Sequence, residues 1–336
     1  MLDVKRDNSH SFTELAELLI GRNVYVQTHN FPDPDAIGSA FGLQSLLKHY
    51  GIPSKICYNG KIDRLNTKKM IDLLGIEIYS KEELDGQMGE DDPIICVDSQ
   101  KNGGNILDLI GDEVACIDHH PTTQEVDYYY KDVRITGACA SIIASYFMEE
   151  DVPMDANTAT ALVYGLQMDT GGFTRGVTDF DINAFGYLHS KADTDILSRL
   201  EQNQMEFTDL KAYGAAIENI ELYDRTGFAC IPFPCQDALI AITCDFILSI
   251  EEVEIAVVYS KRDNGYKFSV RCETYLSGID CGEITSAVLS GLGGSGGGHA
   301  FMAGGFLPEK SIKAMGNNPD EVLTERFMEA MKDKLY

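Results

Sequence analysis

A chain of 336 residues is long enough for two hydrophobic cores, since one domain takes roughly 100 to 200 residues. Its charged fraction of 24% and hydrophobic fraction of 44% exclude a disordered chain, and a net charge of −26 speaks against duplex DNA, whose affinity rests on Lys and Arg at phosphates. The opening "MLDVKRDNSHSFTELAELLIG" lacks a signal-peptide core and no apolar run is long enough to span a bilayer, so a cytoplasmic protein with no membrane partner is expected.

In chain order, "NVYVQT" reads as a strand. "AIGSAFGLQSLLKHYG" follows as a helix in which Ile37, Phe41, Leu47 and Tyr50 recur near helical spacing and Gly51 is a stop. Then come the strand "SKICYN", a helix around "TKKMIDLLG", the strand "PIICVD", a short helix near "NILDLIG" and the strand "VACID". This βαβ alternation predicts a mostly parallel sheet flanked by helices, with ligands beyond the carboxyl ends of its strands. The segments "GACASIIASYFMEE" and "ANTATALVYGLQM" predict two more helices. Residues 1–185 are thus expected to form one α/β domain and the polar stretch 186–214 a helical linker. Residues 215–336 are expected to form a smaller α+β domain, with strands at "GFACIPF", "EIAVVYS" and "YKFSVRCETY" and a hairpin turn at Asn264-Gly265. Nine cysteines without CxxC spacing, mostly in apolar runs, read as small hydrophobes rather than disulfides or zinc ligands.

Polar residues collect where apolar elements end. Asp98 closes "IICVD", Asp118 closes "ACID" with His119 and His120 directly behind, and Asp169 follows a helix in "MDTGGF", where Gly171 and Gly172 allow a sharp turn. Near the first strand, "THNFPDPDAIGSA" sets His29, Asp33 and Asp35 together, with Pro32 and Pro34 stiffening the segment. Taken singly each has a bland explanation. Asp35 is as much a candidate N-cap as a ligand, and His10, His49 and His189 read as surface or satisfied residues. Jointly, carboxylates and imidazoles at one sheet edge would repel without cations. Two divalent ions balance Asp33, Asp35, Asp98 and Asp169, and mixed imidazole and carboxylate donors favour Mn, Fe, Co or Zn over Ca or Mg. Such ions, about 3.5 to 4 Å apart, share a bridging carboxylate and a bridging hydroxide able to attack phosphorus in line.

"HNFPDPDAIGS" at 29–39, "VDSQ" from Val97, "DHHP" at 118–121 and "MDTGGF" at 168–173 resemble the motifs of the DHH phosphoesterase family. "RCETYLSGIDCGEITSAVL" and "GGSGGGHAFMAGG" resemble its DHHA1 substrate-binding domain. The resemblance implies one metal on His29, Asp33 and Asp98 and another on Asp35, Asp98, His119 and Asp169, most simply two Mn²⁺. Asp98 would bridge, His120 would face the scissile phosphate as donor or acid, and Asp118 would orient its neighbours. It also implies an active site in the cleft between the two domains. The commoner wording is "NPDGD" or "NPDAD"; "NFPDPD" is the form of an exopolyphosphatase-related branch, which bears on substrate rather than metal chemistry.

The glycine-rich tail lacks the GK[ST] ending of a P-loop. Gly297 and Gly298 are expected to let backbone N–H groups approach a phosphate or base, with His299 as a further donor. In "YKFSVRCETY", Phe268, Val270 and Cys272 fall on one face and Lys267, Ser269 and Arg271 on the other, from which Arg271 would reach a terminal phosphate. The expected activity is metal-dependent hydrolysis of short phosphorylated nucleotides, partnered by a short single-stranded oligonucleotide, a linear dinucleotide such as pApA or pGpG, or 3′-phosphoadenosine 5′-phosphate. An exopolyphosphatase or pyrophosphatase, and a catalytically idle nucleotide sensor, are the alternatives. A homodimer is left open.

Overall fold

Ser11 and Glu14 form a reciprocal capping box that starts the first helix, α1 (Phe12–Leu19). This is the first element of a computed structural model that describes residues 11–332 apart from 63, 123, 203–205 and 277; His10 lies outside the described residues. The expected alternation follows as β1 (Val24–Gln27), α2 (Pro34–His49), β2 (Ser54–Tyr58), α3 (Leu65–Leu74), β3 (Ile78–Ser80), β4 (Pro93–Val97), β5 (Asp112–Asp118) and β6 (Tyr130–Val133). Helices α4 (Cys139–Glu149), α5 (Ala156–Asp169), α6 (Asp179–His189) and α7 (Thr194–Glu201) come next.

The six strands pair in the order β3-β2-β1-β4-β5-β6, all parallel. From β1 the chain builds outward through β2 and β3, then returns beside β1 to build the other half. The carboxyl ends of β1 and β4 therefore flank a switch point, where an open parallel sheet leaves a crevice. Val26, Ile95, Val97 and Ile117 face the larger core with α2, α4 and α5, while Tyr25, Cys57, Ile94, Cys96 and Cys116 form a second core on the opposite face. Burial on both faces explains why β4 reads as an unbroken apolar run. All nine cysteines are free thiols.

The α2–α5 contact is close because glycines sit in it. A Cβ at Gly38 would lie 2.6 Å from the Ala161 carbonyl oxygen, and one at Gly165 would lie 2.9 Å from Asp35 Cα. One helical turn past Gly165, α5 ends at Asp169, so this contact carries Asp169 to the α2 N-terminus.

Three expectations are corrected. No helix forms at "NILDLIG": Asn30 receives the Leu107 N–H and donates to the Asn105 carbonyl, while Gln27 donates to the Leu107 carbonyl, so tertiary partners claim the backbone a helix would need. The short edge strands β3 and β6 lacked a clear apolar signal and went unanticipated. The hairpin near Asn264 has Asp263-Asn264 as its two loop residues, with Gly265 already paired to Arg262. Gly265 has φ +148°, and any side chain there would strike the Leu307 carbonyl oxygen.

The chain divides into two compact units, Met1–Gln204 and Met205–Tyr336. Leu197 and Leu200 of α7 belong to the first unit's core. The second unit comprises α8 (Leu210–Glu218), β7 (Ile220–Tyr223), β8 (Thr226–Ile231), α9 (Asp237–Leu248), β9 (Ile255–Arg262), β10 (Gly265–Cys272), α10 (Cys281–Gly291), β11 (Ser295–Gly298), β12 (Met302–Pro308), α11 (Glu309–Ala314) and α12 (Pro319–Met331). Its sheet runs β11-β12-β10-β9-β8-β7, antiparallel except for β8 with β9. Val257, Phe268 and Val270 pack against α10 and α12 on one face, and Ala256 and Val258 against α8 and α9 on the other.

The glycine-rich tail is thus an edge strand and hairpin. Most of its glycines serve packing: a Cβ at Gly296 would lie 2.8 Å from Thr285 Cγ2, and one at Gly305 would strike the Leu289 side chain and come within 2.8 Å of the Ser295 carbonyl oxygen. Gly297 differs, because nothing lies within 4 Å of the atom it lacks. Gly305→Ala is expected to destabilise the second unit by about 1–3 kcal/mol through overpacking. Gly297→Ala should stay within about 0.5 kcal/mol of the parent. Urea unfolding followed by circular dichroism checks both.

Candidate metal centre

Three central strands and two helix ends deliver the polar groups. His29 follows β1, Asp98 follows β4, Asp118 ends β5 with His119 and His120 behind it, and Asp169 ends α5. Asp33 is the N-cap of α2, its Oδ1 accepting the Asp35 and Ala36 N–H groups, and Pro34 occupies the first helical turn, where its missing N–H costs nothing. Asp35 caps a different helix. Its Oδ2 accepts the Cys139 N–H at 2.7 Å and its Oδ1 the Ala140 N–H at 3.0 Å, at the N-terminus of α4. The two motif aspartates are thereby fixed against separate helix starts.

The imidazoles are pre-set as donors on one side and acceptors on the other. His29 Nδ1 donates to the Asn30 carbonyl at 2.8 Å, His119 Nδ1 to the Thr136 carbonyl at 3.0 Å, and His120 Nδ1 to Asp118 Oδ1 at 2.9 Å. Each Nε2 is left for another partner, the arrangement that orients metal-binding histidines. His29 Nε2 lies 3.6 Å from Asp98 Oδ2 and 3.9 Å from Asp33 Oδ1; His119 Nε2 lies 3.3 Å from both Asp98 Oδ1 and Asp169 Oδ2. Three overlapping groups have ligand atoms within 4.8 Å of one another: His29, Asp33 and Asp98; Asp98, His119 and His120; and Asp35, His119 and Asp169.

Asp118 stands apart, with Oδ1 accepting the His119 and His120 N–H groups and Oδ2 the Gln100 side-chain amide at 2.7 Å. This geometry orients the turn and offers no oxygen to the cluster. Asp98 takes a left-handed backbone, φ +55°, which Asp tolerates better than most residues. Its carboxylate is buried, and its Oδ1 accepts no hydrogen bond among the described residues.

That orphaned oxygen tests whether the site suits a cation. A buried acceptor without a donor is costly, and so is the mutual repulsion of Asp35, Asp98 and Asp169. Burial and the charges of Asp98 and Asp169 push the Asp35 carboxyl well above its usual range, and burial with Asp33 and Asp98 lifts Asp169 to about 6, against the pull of His119. Burial alone would lower His119, but Asp98, Asp35 and Asp169 outweigh it and raise it to about 11; His29 rises likewise to about 9 against its burial, through Asp33 and Asp98. Protons accumulate where positive charge is wanted. The donor set therefore fits divalent metal ions.

Of the proposed substrate contacts, Ser269 is buried and Arg271 is engaged, its Nε donating to Asp245 Oδ1 at 2.9 Å and one terminal nitrogen to Ser269 Oγ at 3.0 Å. Gly297 and Gly298 lie in β11, and His299 is exposed at the turn into β12. His49 and His189 are exposed and belong to no metal group among the described residues. Asn30, Thr136, Gln100 and Gly165 escaped sequence reasoning. A residue that contributes only its carbonyl or its lack of a side chain leaves no local signal.

A parallel sheet whose switch point gathers these carboxylates and imidazoles defines a class of metal-binding α/β protein, and sequence comparison gives its family. Residues 23–166 match the DHH family, N-terminal domain, and residues 230–329 match the DHHA1 domain. The chain thus carries a DHH-family N-terminal domain followed by a DHHA1 domain. It is 30% identical over 312 residues to "Uncharacterized protein MJ1633" of Methanocaldococcus jannaschii, covering 92% of this chain and 63% of that protein, so it spans less than two thirds of this relative's length. It is 25% identical over 278 residues to "Probable bifunctional oligoribonuclease and PAP phosphatase NrnA" of Streptococcus mutans, covering 78% of this chain and 85% of that one. The crystal structure of an exopolyphosphatase-related protein from Bacteroides fragilis shares the fold, with a TM-score of 0.72 at 20% identity over 94% of this chain and 96% of the other.

Proposed function

We propose that this protein is a divalent-metal-dependent phosphoesterase acting on short phosphorylated nucleotides. The observation that carries the proposal is that two ligand groups share Asp98 and a third joins them through His119, with the orphaned Asp98 Oδ1 between His119 and His120. His29, Asp33 and Asp98 would hold one ion, and Asp35, Asp98, His119 and Asp169 the other, with Mn²⁺ well suited to mixed imidazole and carboxylate donors. Bound there, the ions would supply Lewis acidity and a water acidic enough to attack phosphorus near neutral pH.

The protein's own groups do the rest. Asp118 holds His120 by Nδ1 and favours its protonated form, so that Nε2 of this half-exposed ring carries a proton to donate to a phosphate oxygen or to the leaving oxygen. Thr136 and Asn30 keep His119 and His29 in the tautomer that presents Nε2 inward. In the second unit, exposed His299 and open-sided Gly297 are suited to contact a phosphate or a base, whereas Arg271 would first have to leave Asp245. The likeness to a protein named as a probable bifunctional oligoribonuclease and PAP phosphatase supports reading the substrate as a nucleotide.

Protein loaded with Mn²⁺ is expected to hydrolyse 5′-phosphorylated dinucleotides or 3′-phosphoadenosine 5′-phosphate, with chelation abolishing turnover. Preference for tripolyphosphate or pyrophosphate would replace the nucleotide assignment. Tight nucleotide binding without turnover on any substrate, with metal analysis showing both ions bound, would leave a sensor instead.

A further inference from the structure

Phe31 sits two residues from both His29 and Asp33 and is the one large apolar side chain in that segment. Its backbone is left-handed, φ +58°, which is unfavourable for a bulky side chain and doubly so before Pro32, since a residue preceding proline is restricted to extended conformations. The conformation is imposed from both sides. The Phe31 N–H donates to the Asn59 carbonyl at 3.2 Å, and the Asn30 N–H to the Asn105 carbonyl at 2.7 Å.

Burial gives little reward for this arrangement, because Phe31 is 63% exposed. It is nonetheless seated. Gly60, itself at φ +89°, lies against the ring, and a Cβ there would come 2.9 Å from Phe31 Cε1. One part of the ring rests on bare backbone and the remainder faces solvent, in the same short segment that carries the candidate ligands His29 and Asp33. Strained, over-determined backbone at such a place marks function rather than packing.

We propose that Phe31 is a specificity-determining residue: its ring is a stacking platform for the nucleobase adjoining the phosphate held at the His29–Asp33 side of the metal centre. The proposal rests on the phosphoesterase reading for its catalytic consequence and adds a substrate class, phosphoesters with a base next to the scissile phosphate. A ring face stacks on any base, so adenine and guanine should be accepted alike. Polyphosphate, lacking a ring, gains nothing from it.

Phe31→Asn tests this, because Asn tolerates the left-handed backbone and removes only the aromatic face. Stacking on one aromatic side chain corresponds to roughly a 5- to 100-fold change in affinity. The variant should raise KM for a 5′-phosphorylated diadenylate within that range while kcat stays within about 2-fold, and Phe31→Trp should restore it. On the same ester with the adjoining base replaced by hydrogen, parent and variant should be equal. An equal loss on both esters, or a loss carried in kcat, would show that Phe31 acts only through the position of His29 and Asp33 and would overturn the proposal; no change on either would do the same. A separate readout needs no turnover: a 2-aminopurine dinucleotide with a non-hydrolysable phosphonate linkage should be quenched on binding the parent and not Phe31→Asn. Quenching without hydrolysis of any ester would retain the platform and defeat the phosphoesterase reading, whereas hydrolysis without quenching would defeat the platform alone.

Discussion

Asp98→Ala is expected to lower kcat on the best nucleotide substrate by on the order of 10³-fold or more, since it removes several kcal/mol of transition-state stabilisation from the centre of the site. Asp98 is the residue whose two oxygens face different histidines, Oδ2 toward His29 and Oδ1 toward His119. Among the described residues no other carboxylate has its two oxygens paired with these two histidines. The variant should also bind at most one equivalent of Mn²⁺, read by metal analysis after gel filtration. Its fold should survive, because β4 is held by its own pairing to β1 and β5 and by a core face that does not include Asp98. Asp98→Asn, which keeps the shape and tolerates the left-handed backbone, should fail similarly, separating charge from conformation. Near-normal turnover in either variant would remove the two-metal mechanism.

The second large effect is on stability and originates outside the cluster. Asp132→Ala should destabilise the first unit by about 3–5 kcal/mol, because it strands a buried guanidinium. Arg134, 4% exposed, donates from Nε to Asp132 Oδ1 at 2.8 Å and from a terminal nitrogen to Oδ2 at 2.6 Å; Tyr146 adds its hydroxyl at 2.7 Å. The Arg134 plane also lies 5.3 Å from the Phe180 ring centroid. This pair begins the strap whose later residues serve the site. The Arg134 N–H donates to the Asp118 carbonyl, the Thr136 carbonyl orients His119, the Gly137 N–H is held by Asp181, and the Cys139 and Ala140 N–H groups hold Asp35. Asp132→Ala should therefore also weaken Mn²⁺ binding by about 10- to 100-fold, the usual effect of disturbing groups behind metal ligands. The double variant Asp132→Leu with Arg134→Met removes both charges and should recover most of the stability. Full stability in Asp132→Ala, by urea unfolding, would show that the pair carries no such load.

Elements and motifs with a short-range signal were legible in the chain. β1, β4 and β5 announce themselves as apolar runs, and the residues at their ends followed once the sheet was taken as parallel. Asp33 and Asp35 were seen together, yet their division of work was not. Asp33 caps the helix that contains it, while Asp35 caps α4, whose first residue lies far along the chain. No periodicity encodes that contact. The "NILDLIG" segment failed for a related reason: its helical pattern is real, but Asn30 and Gln27 compete for its backbone, and Ile106 and Leu109 pack on the smaller core without helical geometry. The glycines of the tail suggested an open loop, whereas Gly296 and Gly305 are needed for β11 and β12 to lie against α10.

Most of the strand-helix order, the two kinds of architecture in succession and a set of candidate ligands were legible in the chain alone, because periodicity, turn residues and motif spacing are properties of neighbouring positions. The tertiary structure alone settled which nitrogen each histidine presents, that Asp98 faces both His29 and His119, that Asp118 is turned away, and that Arg271 is already paired. Those facts depend on carbonyls, helix starts and absent Cβ atoms brought from distant parts of the chain, and a hydrogen bond between remote residues exists only once packing has closed the distance.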